Sequence, residues 1–193
     1  MTSESYTLAG VDDEGESLDL LIARARAGEE SAFEEILARF ESKALGIARN
    51  LGAGDQDAED IAQESFLRLF RHIGSYRGGR RFTAYFFRIV VNVTRDHFRK
   101  AAAERQIVLV SGSAARDDSL SSQGPSAAHD LEVRQRTRAA LMQLTLRERE
   151  IVILKDMQGL SVWEISRILR LDPITVRRHA MRARIRLRDL LGR

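Results

Sequence analysis

Apolar side chains recur along this chain at helical spacing rather than at alternate positions. Leu18, Leu21, Ile22 and Ala25 form a short stripe, which Gly28 ends. A longer stripe follows at Phe33, Ile36, Leu37, Phe40, Ala44, Ile47, Ala48 and Leu51, one face of a helix that Gly52 and Gly54 break. Ala58, Ile61, Ala62, Phe66 and Leu69 predict a third helix from about Asp57 to His72. Its acidic residues Asp57, Glu59, Asp60 and Glu64 fall largely outside the stripe, and acids in a first turn suit the helix dipole. Gly74 to Arg81 reads as a loop. A fourth helix is expected over about Phe82 to Glu104, with Phe82, Tyr85, Phe86, Ile89, Val90 and Val93 inward.

The helical period fades over 105–130, where Ser, Gly, Ala and Asp dominate; this reads as a flexible linker and domain boundary. It returns at about Leu131. Thr145-Leu-Arg-Glu148 and Ser161-Val-Trp-Glu164 each have the S/T-x-x-E form of a capping box and each precede an apolar run. Asp172-Pro173 supplies an N-cap and a proline at the first helical position. The helix after it carries Val176, Ala180, Ala183, Leu187 and Leu190 on one side. The pattern therefore predicts an all-α chain: an acidic, disordered tail (1–17), a helical domain (18–104), the linker (105–130), and a second helical domain (131–193). A helix, a short break and a second helix at 161–170 and 173 onward give that last domain a helix-turn-helix.

Charge sharpens this picture. The net charge of +3 hides an uneven distribution. Residues 1–66 hold 5 basic and 16 acidic side chains, net −11, while 67–105 hold 10 and 2, net +8. Residues 131–193 hold 15 and 7, again net +8. Two basic blocks suggest two surfaces for a polyanion, and the acidic block suggests either a basic partner or a solvated face. Arg177, Arg178, Arg182, Arg184, Arg186 and Arg188 occur with no acid between 173 and 188. Six such arginines repel one another on a merely solvated face, whereas a helix of this kind fits the DNA major groove. In the first block Tyr76, Arg77, Arg80, Arg81, Arg88, Asn92, Arg95, Arg99 and Lys100 mix cations with aromatic and amide groups, as unpaired DNA strands require. Phe82, Tyr85 and Phe86 are better read as core. Tyr76, on its glycine loop, is better read as functional.

Other chemistries find little support. The chain has no cysteine, so disulfides, thiolate metal sites and a cysteine nucleophile are excluded. Its four histidines lie on separate segments without metal spacing, and no phosphate-binding glycine loop precedes a lysine. The expectation is no catalytic site, no metal and no cofactor. No apolar run approaches a membrane span, and the first sixteen residues lack the features of a secretion signal, so a cytoplasmic protein without membrane insertion is expected.

Several stretches, in order, carry a resemblance. They are Asp57-Ala-Glu-Asp-Ile-Ala-Gln-Glu-Ser-Phe66, Ser75-Tyr-Arg-Gly78, Phe82-Thr-Ala-Tyr-Phe-Phe-Arg-Ile-Val-Val-Asn92, Leu160-Ser-Val-Trp-Glu-Ile165 and Thr175-Val-Arg-Arg-His-Ala-Met-Arg-Ala-Arg184. Together they resemble a bacterial RNA polymerase sigma factor of the extracytoplasmic-function (ECF) group. The resemblance implies that Asp57, Asp60, Gln63 and Glu64 dock the polymerase. It implies that Tyr76, Arg77, Arg80, Arg81, Arg88, Asn92, Arg95, Arg99 and Lys100 recognise and melt the promoter −10 element. Tyr76 and Asn92 would line a pocket for a flipped base. Thr175, Arg177, Arg178, His179, Met181, Arg182 and Arg184 would read the −35 element. The implied partners are core RNA polymerase, promoter DNA and an anti-sigma factor. At Tyr76, Tyr85, Arg170, Ile174, Arg178 and His179 the chain departs from the residues usual in that group, and with Arg178 and His179 on the recognition helix the −35 preference does not carry over. The alternative reading is a stand-alone helix-turn-helix regulator, which would need neither the acidic helix nor the first basic block.

Overall fold

The computed structural model describes residues 17–76, 81–111 and 125–192, with side chains for 17–76, 81–104 and 132–192. Every regular element among them is helical. They are α1 (Leu18–Arg26), α2 (Glu30–Leu51), α3 (Asp55–His72), a 3-10 turn (Ile73–Ser75), α4 (Phe82–Ser111), α5 (Pro125–Met142), α6 (Leu146–Val152) with a π turn (Ile153–Met157), α7 (Val162–Leu169) and α8 (Pro173–Leu191).

The predicted stripes become the core. Leu21 and Ile22 of α1 pack with Ile36, Phe40, Ile47 and Leu51 of α2, Ile61, Phe66 and Leu69 of α3, and Phe82, Phe86 and Val90 of α4. Phe40 is the hub: its ring meets those of Phe82 and Phe86 edge-on, both at 5.5 Å, and Phe66 stacks on Phe86 at 4.9 Å. Two buried hydroxyls are satisfied locally, because Ser65 donates to the Ile61 carbonyl (2.6 Å) and Thr94 to that of Val90 (2.8 Å). Phe87 and Val91 are buried too, so α4 is apolar round a wider arc than the sequence stripe implied.

Two boundaries differ from expectation. α4 runs on to Ser111 and α5 begins at Pro125, so both helices reach into the segment read as linker; 112–124 lie outside the described residues. The reason is local: no glycine or proline occurs between Phe82 and Ser111, and a proline at a first helical position costs no hydrogen bond. Residues 1–16, the expected disordered tail, also lie outside the described residues.

Both capping boxes form. Thr145 caps α6 and Ser161 caps α7, each exchanging hydrogen bonds with the glutamate three residues on. Asp172 caps α8, accepting from the Thr175 backbone N–H at 2.9 Å. Arg170, in the left-handed region at φ 55°, makes the turn between α7 and α8. Leu190, expected on the inward face of α8, is exposed, because the core of that domain ends near Leu187.

The two helical domains touch. The α2 C-terminus, closed by Gly52 at φ 118°, receives the C-terminal domain: Arg149 donates to the Leu51 carbonyl (2.8 Å) and Arg138 to that of Ala53 (2.5 Å). A β-carbon at Gly52 would sit 3.3 Å from Arg149 Nη1 and 3.3 Å from Met142 Sδ, a tight contact those side-chain ends would have to relieve, while the left-handed φ is what favours glycine.

Candidate polymerase and nucleic-acid interfaces

On the acidic helix α3, Asp60 and Gln63 look outward into a groove of about 580 Å³ between α2 and α3. Phe33, Leu37 and Leu45 floor it from α2, Leu67 and Phe70 from α3, and Glu41, Glu59 and Asp60 give it an acidic rim. Phe70 is 61% exposed and meets the Phe33 ring edge-on at 5.0 Å. Asp57 and Glu64, within one turn of Asp60, lie at the edge of this surface toward α4. Asp57 lies 3.3 Å from His97 of α4, and Glu64 accepts from Arg68 at 2.7 Å. The structure thus brings two of the four predicted docking residues to the groove and leaves two on the α4 side. The sequence reading missed the apolar floor, because Leu67 and Phe70 continue the heptad-like spacing of Asp60 and Gln63 yet look like ordinary core residues in the sequence.

The first basic block resolves into a line along α4. Arg81, Arg88, Asn92, Arg95 and Arg99 follow one another at steps of seven, four, three and four, so they share a face. That face meets the second domain. Arg81, Ala84, Tyr85 and Arg88 enclose a cavity of about 200 Å³ with Glu164, Arg167 and Ile168 of α7. Farther along, Arg95 makes a two-pronged ion pair with Glu150 of α6, at 2.5 and 2.6 Å. The Glu150 carboxylate is fully buried, and Arg147 joins it at 3.2 Å. Arg99 pairs with Asp96 at 3.0 Å, and Lys100 is exposed. Arg77 and Arg80 lie outside the described residues.

Tyr76, read from its glycine loop as a functional residue, is only 9% exposed. Its ring packs edge-on to Phe82 (5.6 Å) and against Tyr85 (5.1 Å). The short 3-10 turn carries it back onto the α3–α4 junction, and aromatic packing outweighs exposure there. Burial, helped by the Asp19 charge, pushes its hydroxyl above the usual tyrosine value.

On α8 the predicted residues separate into three groups. Arg177, Arg178, Met181 and Arg182 are exposed, and among the described residues the three arginines have no ion-pair partner. Arg184 is already engaged: its Nε lies 3.1 Å from Asp156, and that bond raises its pKa. Thr175 and His179 are half-buried, and the His179 Nδ1 is buried without a hydrogen-bond partner among the described residues. Those two stand at the edge of the exposed face, between it and the buried line of Val176 and Ala180. Ile174, absent from the predicted set, stands beside Arg177 and Arg178 and is 73% exposed.

Two family patterns match the chain. The pattern of Sigma-70 region 2 matches residues 36–104, and that of Sigma-70 region 4 matches 134–187. The chain is 33% identical to RNA polymerase sigma factor CarQ of Myxococcus xanthus over 174 residues, 88% of this chain and 94% of that one. It is 31% identical to ECF RNA polymerase sigma factor SigM of Mycobacterium tuberculosis over 172 residues, 89% of this chain and 83% of that one. Among solved structures, CnrH in complex with the cytosolic domain of CnrY superposes with a TM-score of 0.69 at 26% identity, covering 91% of this chain and 98% of that one.

Proposed function

We propose a division of labour within this chain, which belongs to the extracytoplasmic-function group of RNA polymerase sigma factors. Its activity is that of the family: it directs RNA polymerase to promoters for the start of transcription. The domain of 18–104 docks the polymerase through Asp60, Gln63 and the apolar groove beside them, and takes the −10 element along the α4 arginines. The domain of 131–193 takes the −35 element with Arg177, Arg178, Met181 and Arg182. The observation that carries this reading is the segregation of surfaces: an acidic-rimmed groove on α2 and α3, and cationic faces on α4 and α8.

Distance adds a requirement. Two elements about 25 base pairs apart lie about 85 Å apart on B-DNA at roughly 3.4 Å per step. Arg81 and Arg88 here share a cavity with α7 of the helix-turn-helix. The two domains therefore separate before both elements are held, and separation frees Arg95 from Glu150 for phosphate. A protein regulator that seats on the closed form acts as an anti-sigma factor; the related CnrH is found in complex with the cytosolic domain of CnrY. The work is that of a cytoplasmic binding protein, with the chemistry left to the polymerase. Among the described residues no helix is long and apolar enough to cross a membrane.

The test is Asp60→Arg combined with Gln63→Arg. Capture of core RNA polymerase should fall at least about tenfold, since like charges now face a basic partner across the groove. Binding of the chain to duplex DNA should be unchanged. Undiminished polymerase capture and promoter-specific transcripts from the double variant overturn the docking assignment.

A further inference from the structure

The outward face of α8 is not uniformly cationic. At about 100° per residue, Ile174, Arg178, Met181 and Ile185 fall within an arc of about 60°. That arc lies opposite the buried line of Val176, Ala180 and Ala183. Ile174 is 73% exposed, Met181 60% and Ile185 45%, and Ile174 exceeds every other large hydrophobic residue of the described chain in exposure. Arg177 and Arg182 flank the strip on its two sides, both exposed and without an ion-pair partner among the described residues. No acid occurs between 173 and 188.

Three apolar side chains sharing a strip with Arg178, between the unpaired cations Arg177 and Arg182, suit a surface that is anionic at its edges and carries methyl groups at its centre. The major groove has that character: phosphates line its rims and the thymine C5-methyl projects from its floor. Of the four bases only thymine offers a methyl group there, and a branched aliphatic side chain has no hydrogen-bonding atom with which to read anything else. The groove is about 12 Å wide, and Ile174 and Ile185 are about 16 Å apart along the helix at 1.5 Å per residue. A helix entering by its N-terminus therefore brings its first two turns to the bases and leaves Ile185 near the rim. Ile174 is at the second position of α8, directly after the Asp172-Pro173 start, so it leads that entry.

We propose that Ile174 is a specificity-determining residue that packs on the C5-methyl of one thymine in the upstream promoter element. This rests on the reading of α8 as the −35 helix, and the experiment separates the two. The full chain, reconstituted with bacterial core RNA polymerase, selects duplexes from a library randomised across the upstream element. Each thymine in the selected duplex is then replaced by deoxyuridine, which keeps the base pair and removes only the methyl.

The wild-type holoenzyme should lose about three- to fivefold in affinity at one such position, the effect of one buried methyl group. The Ile174→Ala holoenzyme should show no penalty there while keeping its other thymine responses, its polymerase affinity and its thermal midpoint. Ile174→Val should retain part of the penalty. An unchanged deoxyuridine profile in Ile174→Ala overturns the inference but leaves the −35 reading standing. The same unchanged profile with weakened binding of a protein partner assigns the strip to that partner and equally overturns it. If the wild-type holoenzyme selects no upstream sequence, the −35 reading itself fails and the inference falls with it.

Discussion

Glu148 and Glu150 stand two residues apart on α6, both buried, and resolve the problem of a buried charge differently. Glu148 closes its own capping box and receives Arg186 at 2.9 Å. Burial works to raise its pKa, but the bonds from the Thr145 hydroxyl and backbone N–H, with the Arg186 charge, outweigh it and hold the carboxyl below its ordinary value. A carboxyl whose folded pKa is depressed contributes stability that is present above the unfolded pKa and lost as pH falls through the folded one. Glu148→Gln should therefore cost about 1 kcal/mol near neutrality, and that deficit should shrink as pH falls below about 4.5. Urea unfolding of both proteins over a pH series checks this, and a deficit independent of pH would count against a charged role. Glu150 instead depends on Arg95 from another domain, a pairing that nothing in the local sequence announces.

At the scale of elements, the starts of α6, α7 and α8 were legible, whereas the start of α5, the end of α4 and a shared helix end at Arg149 were not. Thr145, Ser161 and Asp172 each act within three residues of themselves, so S/T-x-x-E and Asp-Pro spelled out their roles. Arg149 carries no such local signature. It donates to the carbonyls of Leu141 (2.9 Å), Met142 (3.1 Å) and Leu144 (3.2 Å) at the end of α5, and to Leu51 at the end of α2, 98 residues away. A cation at two helix C-termini satisfies carbonyls that have no partner in their own helix and complements both dipoles. Burial lowers its pKa, though it remains a cation. Arg149→Met should leave these acceptors unpaired in a partly buried site and cost about 1–3 kcal/mol, read as a lower thermal midpoint. A midpoint equal to wild type would show that water takes over those bonds.

At the scale of the whole molecule, the closed packing of the two domains is the feature to test. Arg95–Glu150 crosses the boundary with both guanidinium prongs, and the carboxylate side is inaccessible to water. Removing the charge from one partner of a buried pair leaves the other uncompensated, and parting the domains lets Arg95 rehydrate. Glu150→Gln should accordingly expand the free protein, seen as a larger radius of gyration in small-angle X-ray scattering, and Arg95→Met should reproduce the expansion. An unchanged radius in both variants would place the clasp elsewhere, at Arg138 and Arg149. Affinity for duplex DNA should fall steeply with salt, because each arginine on a phosphate releases a counterion. A flat titration would remove Arg177, Arg178 and Arg182 from the backbone contacts.

The amino-acid order alone determined the helices, their caps, the inward stripes and the separation of acidic from basic blocks. Those properties depend on spacings of three and four residues and on groups close in the chain, so they survive without knowledge of the fold. Only the tertiary structure decided that Tyr76 is packed rather than open, and that Asp57 and Glu64 lie toward α4 while Asp60 and Gln63 line a groove. It also decided that Arg95 and Arg184 are engaged by acids and that Ile174 stands uncovered. Each of those outcomes turns on which distant side chain or carbonyl arrives at a site, with partners 28 to 98 residues away for Arg184, Arg95 and Arg149. A one-dimensional pattern fixes which face of a helix is apolar, but packing between elements fixes what that face and its neighbours meet.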